Sequence, residues 1–144
     1  MKIAVTKLRP EAILPEYQTP HSAAMDLHAC IGEPVTIDSL ERAIVPTGLA
    51  IAIPEGYEAQ VRARSGLAAK HGLALANGVG TIDADYRGEI GVILVNLSKK
   101  PFTIEPDMRI AQLLVAKYEK VEWQLVDELD DTERGRGGYG STGR

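Results

Sequence analysis

Glycine and proline interrupt this chain at short intervals, and only brief stretches rich in β-branched residues lie between them. Residues 3–8, 34–37, 44–53, 57–61, 91–97, 102–104 and 110–118 are such stretches, in a 144-residue chain with 14 glycines and 8 prolines. Several alternate apolar and polar side chains, and Glu105-Pro106-Asp107 makes a turn between the last two. Short, regularly spaced strands bounded by turn residues predict an all-β sandwich or barrel. One segment breaks the rhythm. Ser65-Gly66-Leu67-Ala68-Ala69-Lys70-His71-Gly72 opens with an N-capping residue, continues with helix formers and closes on glycine. It predicts a single helix of about two turns, with Ser65 as its cap.

The size suits one domain, 1–133, followed by a separate arm, 134–144. Five of the eleven residues of that arm are glycines, and only Tyr139 could join a core. Alone it cannot offset its ordering entropy, so it is expected to stay mobile until something binds it. The arm carries three arginines and no acid, which leaves 13 basic against 20 acidic side chains, net −7, in the other 133 residues. Such a body is a poor partner for polymeric nucleic acid, whose binding scales with phosphates neutralised. No apolar run approaches the roughly 20 residues of a membrane span, and the N-terminus lacks a signal-peptide core. A cytoplasmic location is therefore expected. The single Cys30 excludes an internal disulfide and reads as a buried, inert thiol.

Few residues advertise chemistry on their own. His21, His28 and His71 show no zinc-like spacing with each other or with Cys30, so each reads as structural or solvated. Magnesium is different, because it needs only a carboxylate or two plus substrate phosphates. No G-x-S-x-G elbow or Walker A loop occurs. Asp83-Ala84-Asp85-Tyr86-Arg87-Gly88 reads first as a hairpin turn, although a turn aspartate can serve as a general base. Arg64-Ser65-Gly66 at a helix start offers a guanidinium, a hydroxyl and amides to an anion. The arm reads as a phosphate lid, an RGG-like nucleic-acid segment or a linker.

The order of the segments says more than any one of them. Ser22-Ala23-Ala24-Met25-Asp26-Leu27, Arg64-Ser65-Gly66-Leu67-Ala68, residues 77–90, Arg109-Ile110-Ala111-Gln112-Leu113 and the arm follow one another along the chain. This series resembles the five ordered motifs of the trimeric dUTP diphosphatases, the dUTPases, from about residue 22 to residue 143. The resemblance implies a jelly-roll-like β fold and a homotrimer whose active sites each draw on all three subunits. It also implies Mg²⁺-dependent hydrolysis of dUTP to dUMP and diphosphate. The dCTP deaminases share that fold, but the third motif and the arm follow the dUTPase pattern.

The resemblance also implies a role for each matching residue. Asp83 corresponds to the general base that activates water against the α-phosphorus, and Asp26 to the aspartate that supports the metal indirectly, through its water shell. Arg64, Ser65 and Gly66 match the phosphate cradle, and Gln112 the residue beside the phosphates and metal waters. Asn77, Thr81, Ile82 and Gly91 match a β-hairpin that reads uracil, and Tyr86 the ring beneath the deoxyribose. Arg134, Gly140, Ser141 and Thr142 match the lid over the γ-phosphate, and Tyr139 the ring that stacks on the base. Departures are few: Ala63 stands where proline is common, Tyr139 replaces phenylalanine, and Arg136 is an added charge.

Overall fold

A computed structural model describes residues 1–138. Its elements in chain order are β1 (Ala4–Lys7), β2 (Met25–His28), β3 (Val35–Ile37), β4 (Arg42–Pro46), β5 (Leu49–Ala52), β6 (Tyr57–Ala63) and α1 (Ser65–His71), then β7 (Leu73–Leu75), β8 (Gly80–Ile82), β9 (Gly91–Asn96), β10 (Phe102–Ile104) and β11 (Arg109–Lys117). The strands form antiparallel sheets in the orders β1-β5, β10-β3, β2-β11-β6-β8 and β4-β9-β7. The expected all-β class with one short helix is what forms.

One apolar core lies between these sheets. Leu27, Ile37, Leu49, Leu73, Leu94, Ile104 and Ile110 are fully buried within it. Each such side chain contributes about 1.5–3 kcal/mol of transfer free energy. Cys30 is buried as expected. Among the described residues, the buried polar side chains are Asp26, Thr47 and Asn96. Asn96 Nδ2 donates to the carbonyls of Ile37 at 2.9 Å and Lys100 at 2.8 Å, so its burial leaves no amide proton unpaired.

Three departures from the sequence reading have local causes. Residues 44–53 form two strands rather than one, because the chain bends at Thr47-Gly48. There the Thr47 Oγ1 donates to the Ile90 carbonyl at 2.7 Å, and Gly48 takes a left-handed φ of 69°. Arg64, not Ser65, occupies the N-cap of α1: its backbone is extended and its side chain makes no capping bond. Its carbonyl instead accepts from the amides of Leu67 at 3.1 Å and Ala68 at 3.0 Å, so Ser65 is already helical. Finally, β8 pairs with β6 while β9 pairs with β4 and β7, so residues 83–90 bridge two sheets instead of closing a paired hairpin. The strands β2, β7 and β8 were not evident from the sequence.

Beyond β11 the chain adds neither strand nor helix through residue 138. Its apolar side chains there are exposed, Trp123 at 94% and Leu125 at 100%. No helix among the described residues is long and apolar enough to cross a membrane.

A Cβ at Gly48 would lie 2.7 Å from both the Ala12 Cβ and the Cys30 Sγ. Left-handed strain and overpacking then act together, so Gly48→Ala should lower stability by about 2–4 kcal/mol in equilibrium urea denaturation.

Candidate active site

The edge strand β8 and the loop after it build a cleft. Among the described residues only one side of β8 is paired, with β6, so its outward amides and carbonyls remain available to a ligand. Asn77, Thr81, Ile82, Asp83, Tyr86 and Gly91 line a cavity of about 220 Å³ with Val61, Ile90 and Ile93. These six are the residues that the resemblance assigned to base, sugar and catalysis in the third motif. Gly80 keeps the wall thin, since a Cβ there would lie 3.2 Å from the Asn77 amide nitrogen and the Val61 Cβ. The Asp83 carboxylate is exposed at the rim, immediately after β8, where its backbone carbonyl accepts from the Tyr86 amide at 3.1 Å.

The loop from Asp83 to Gly91 is braced from within. The Tyr86 hydroxyl donates to the Glu89 carbonyl at 3.0 Å, and its ring lies against Gly88, where a Cβ would overlap it. The Arg87 guanidinium turns back onto the carbonyls of Ala84 at 2.7 Å and Tyr86 at 2.8 Å. Glu89 then ties the loop to the body. Its Oε1 accepts from the Gly48 amide at 2.8 Å, and its Oε2 lies 3.5 Å from the Arg9 guanidinium.

A second cluster forms where β2, β11 and the β6–α1 junction meet. Asp26 is almost wholly buried, yet both of its oxygens are engaged. Arg109 donates to Oδ2 at 3.1 Å, while Gln112 Nε2 donates to Oδ1 at 3.3 Å and the Arg64 Nε lies 3.6 Å from Oδ1. Arg64 Nη1 donates to the Arg109 carbonyl at 2.8 Å, which leaves Nη2 without a partner among the described residues. The amides of Ser65 and Gly66 stand beside it at the helix start, ahead of any intrahelical acceptor. The arrangement can neutralise phosphate oxygens. A magnesium ion fits here only in a limited way: Asp26 is committed to two hydrogen-bond donors and an ion pair with Arg64, and no group of three or more His, Cys, Asp or Glu among the described residues could cage a metal. A phosphate-borne ion whose waters reach Asp26 or Gln112 is compatible with this donor set.

His28 lies on the same face of β2 as Asp26, and its buried Nδ1 has no hydrogen-bond partner among the described residues. Desolvation pushes its pKa below 6.5, outweighing the opposing pull of Asp26, and Arg109 pushes it further down.

Within one chain the two clusters are well separated. β8 is antiparallel to β6, with Ile82 opposite Ala59 and Gly80 opposite Val61. Asp83 therefore leaves toward Glu58, whereas Arg64 follows the other end of β6. Six residue steps at about 3.3 Å place them about 20 Å apart along the strand. The structure thus brings Asp26, Arg64 and Gln112 together, and separately Asn77, Thr81, Ile82, Asp83, Tyr86 and Gly91. Arg134 donates through Nε to the Gly137 carbonyl at 2.9 Å and joins neither cluster. Tyr139, Gly140, Ser141 and Thr142 lie outside the described residues. Arg109 and Glu89 stood inside quoted motifs without a role, and Arg9 lay outside them; Arg109 was findable as a charged residue between Met108 and Ile110.

A small-molecule cleft on a sheet edge, an exposed carboxylate at its rim and an arginine-lined cluster together define a β protein built to bind and process a small anionic ligand. The family model described as dUTPase matches residues 10–143. Curated relatives named deoxyuridine 5'-triphosphate nucleotidohydrolase include those of Rickettsia felis and Fusobacterium nucleatum. The first is 59% identical over 90% of this chain and 88% of its own, the second 56% identical over 99% of each. A solved dUTPase of Staphylococcus bacteriophage 80alpha with dUpNHpp superposes with a TM-score of 0.89 at 28% identity, covering 99% of each chain. A variant of the phage phi11 dUTPase of S. aureus, described with a structural Mg(II) ion, gives 0.81 at 25% identity over 91% of this chain and 100% of its own. The chain belongs to the dUTPase family.

Two expectations follow from this geometry. Glu89→Ala should loosen the cleft and raise KM for the cleft's ligand more than it lowers kcat, whereas Glu89→Gln, which retains an acceptor for the Gly48 amide, should recover most of the loss in steady-state kinetics. A histidine whose folded pKa is depressed takes up protons in the unfolded chain first, so its contribution to stability is full above 6.5 and declines as pH falls below it. Thermal melts from pH 7.5 to 5 should therefore show a shallower decline for His28→Gln than for the parent.

Proposed function

We propose that the protein hydrolyses dUTP to dUMP and diphosphate, at sites completed by neighbouring copies in a homotrimer. The observation that carries this reading is the cleft in which Asn77, Thr81, Ile82, Tyr86 and Gly91 converge with the Asp83 carboxylate at its rim. The names of the curated relatives and the dUpNHpp of the phage structure support the substrate.

In this reading the open edge of β8 pairs with the polar edge of uracil. A cytosine would set donors against donors and leave buried groups unpaired. A thymine methyl would collide with the narrow wall around Ile82 and Gly91. The Tyr86 ring lies under the deoxyribose, where a 2′-hydroxyl has no room. Asp83 takes the proton of a water that attacks the α-phosphorus, and the diphosphate leaves in line with it. Arg64, Ser65 and Gly66 hold the phosphate oxygens, while Asp26 fixes Arg64 and Gln112 in position. When bound, Mg²⁺ neutralises phosphate charge; it would be held mainly by the substrate, with Asp26 and Gln112 reached through its waters.

The separation of the two clusters supports the trimer, because Asp83 and the phosphate cradle must lie within a few ångströms of one nucleotide. A second copy can bring its Arg64 cluster to the first copy's cleft. The exposed Val121, Trp123, Leu125 and Leu129 offer apolar surface for the neighbour. The arm 134–144 is read as a lid from a third copy, with Arg134, Gly140, Ser141 and Thr142 at the γ-phosphate and Tyr139 on the base. Turnover of this kind keeps dUTP from polymerases and supplies dUMP for dTTP synthesis, in a cytoplasmic setting.

A diphosphate-release assay with dUTP, dTTP, dCTP and UTP, with and without Mg²⁺, tests the reading. Efficient release from dUTP alone, dependent on the metal, is expected. Asp83→Asn should lower kcat by about 10²–10⁴-fold while dUTP still binds. Near-normal kcat in that variant, or ammonia formed from dCTP, would contradict it.

A further inference from the structure

Three of the seven lysines of this acidic chain border one depression on the face formed by the end of α1 and the β9–β10 loop. Lys70, His71, Ser98, Lys99, Lys100 and Phe102 surround a cavity of about 420 Å³ with Pro101, and among the described residues no carboxylate lines it. Among the described residues none of the three ammonium groups forms an ion pair. We propose that this depression is a second anion site, separate from the Asp83 cleft and the Arg64 cluster, which takes a condensed phosphate such as inorganic diphosphate or the phosphate chain of a nucleotide.

The backbone beneath the lysines is fixed before any ligand arrives. α1 ends on Gly72, whose φ of 67° no side-chain-bearing residue adopts cheaply. A Cβ there would also stand 3.0 Å from the Ser98 amide nitrogen, so the helix end and the loop can approach only through glycine. The Gly72 carbonyl accepts from the Leu97 amide at 2.9 Å, which binds the two segments together. Below them the fully buried Asn96 holds the loop from both ends, donating to the Lys100 carbonyl at 2.8 Å and accepting from the Ser98 amide at 3.0 Å. The His71 and Phe102 rings, 4.9 Å apart, form one wall.

The one lysine at the end of α1, Lys70, has an ordinary explanation in the helix dipole, which does not extend to Lys99 or Lys100. Lys99 and Lys100 belong to a loop that is held toward it by a buried polar network. Like charges gathered on a prepared backbone are stabilised by an anion that spans them, and a chain of two or three phosphates spans several ammonium groups where one phosphate does not. A polymer is disfavoured, since the adjoining turn, bonded to this loop through the Ser39 hydroxyl and the Ser98 carbonyl at 2.6 Å, carries Asp38 and Glu41.

Amide chemical-shift titration of the full chain tests the site. The probes are inorganic diphosphate, orthophosphate, dATP and a single-stranded deoxyoligonucleotide. Saturable shifts at Lys70, His71, Ser98, Lys99 and Lys100 are expected with diphosphate, and weaker ones with orthophosphate. Equal shifts with dATP would identify the nucleotide's phosphate chain as a source; shifts with diphosphate alone would identify the inorganic anion. The variant Lys70→Gln/Lys99→Gln/Lys100→Gln should bind diphosphate at least about tenfold more weakly at this face while its turnover of dUTP stays unchanged. Diphosphate shifts confined to residues 64–66, an unaltered titration in the triple variant, or a response to the oligonucleotide alone would overturn the proposal.

Discussion

The antiparallel register of β6 between β11 and β8 constrains everything the protein can do. Because β8 runs against it, the strand delivers Arg64 at one end and leaves Asp83 beside the other. In the proposed mechanism the carboxylate must meet a phosphorus and the guanidinium must neutralise its oxygens, yet the two are held apart in a single chain. No side-chain motion spans about 20 Å of extended strand. In that proposal the sheet that fixes each cluster also makes association the natural way to unite them.

Rigidity within each half-site has a separate cause. Asp26 is a buried charge, tolerable only because Arg109, Arg64 and Gln112 surround it. Arg64 is aimed by its hydrogen bond to the Arg109 carbonyl together with its ion pair to the Asp26 carboxylate. On the other side, the cleft owes its shape to a loop fastened by Tyr86, Arg87 and Glu89 to its own backbone and to Gly48. The Asp26 cluster rests on polar contacts between segments far apart in sequence, and the cleft loop joins local bonds to long-range ones from Glu89 to Gly48 and Arg9.

That distance explains what the sequence could and could not convey. Alternation and punctuation made the long strands and the single helix legible, since these are local patterns. β2 was hidden because Met25-Asp26-Leu27-His28 is half polar, and the hydrogen-bonding partners that permit the burial of Asp26, Arg109 and Gln112, lie 83 and 86 positions away. The break at Gly48 depends on Ala12, Cys30 and Ile90, none of them neighbours in the chain. The residues of the cleft were legible only through the family motifs; composition and spacing alone described a turn. Their convergence on one cavity is information that the fold adds. Val121, Trp123, Leu125 and Leu129 stand exposed beyond β11, where no described sheet of their own chain covers them.

Subunit complementation tests the shared site most directly. Asp83→Asn chains and Arg64→Ala chains, each inactive alone, are unfolded, mixed in equal amounts and refolded together. If every site takes its carboxylate from one copy and its arginine from another, random assembly leaves about a quarter of the sites intact, and dUTP turnover returns to about that fraction of the parent's. A mixture as inactive as its components, with mixed oligomers verified by mass, would show that the two groups must come from the same chain and would contradict the account.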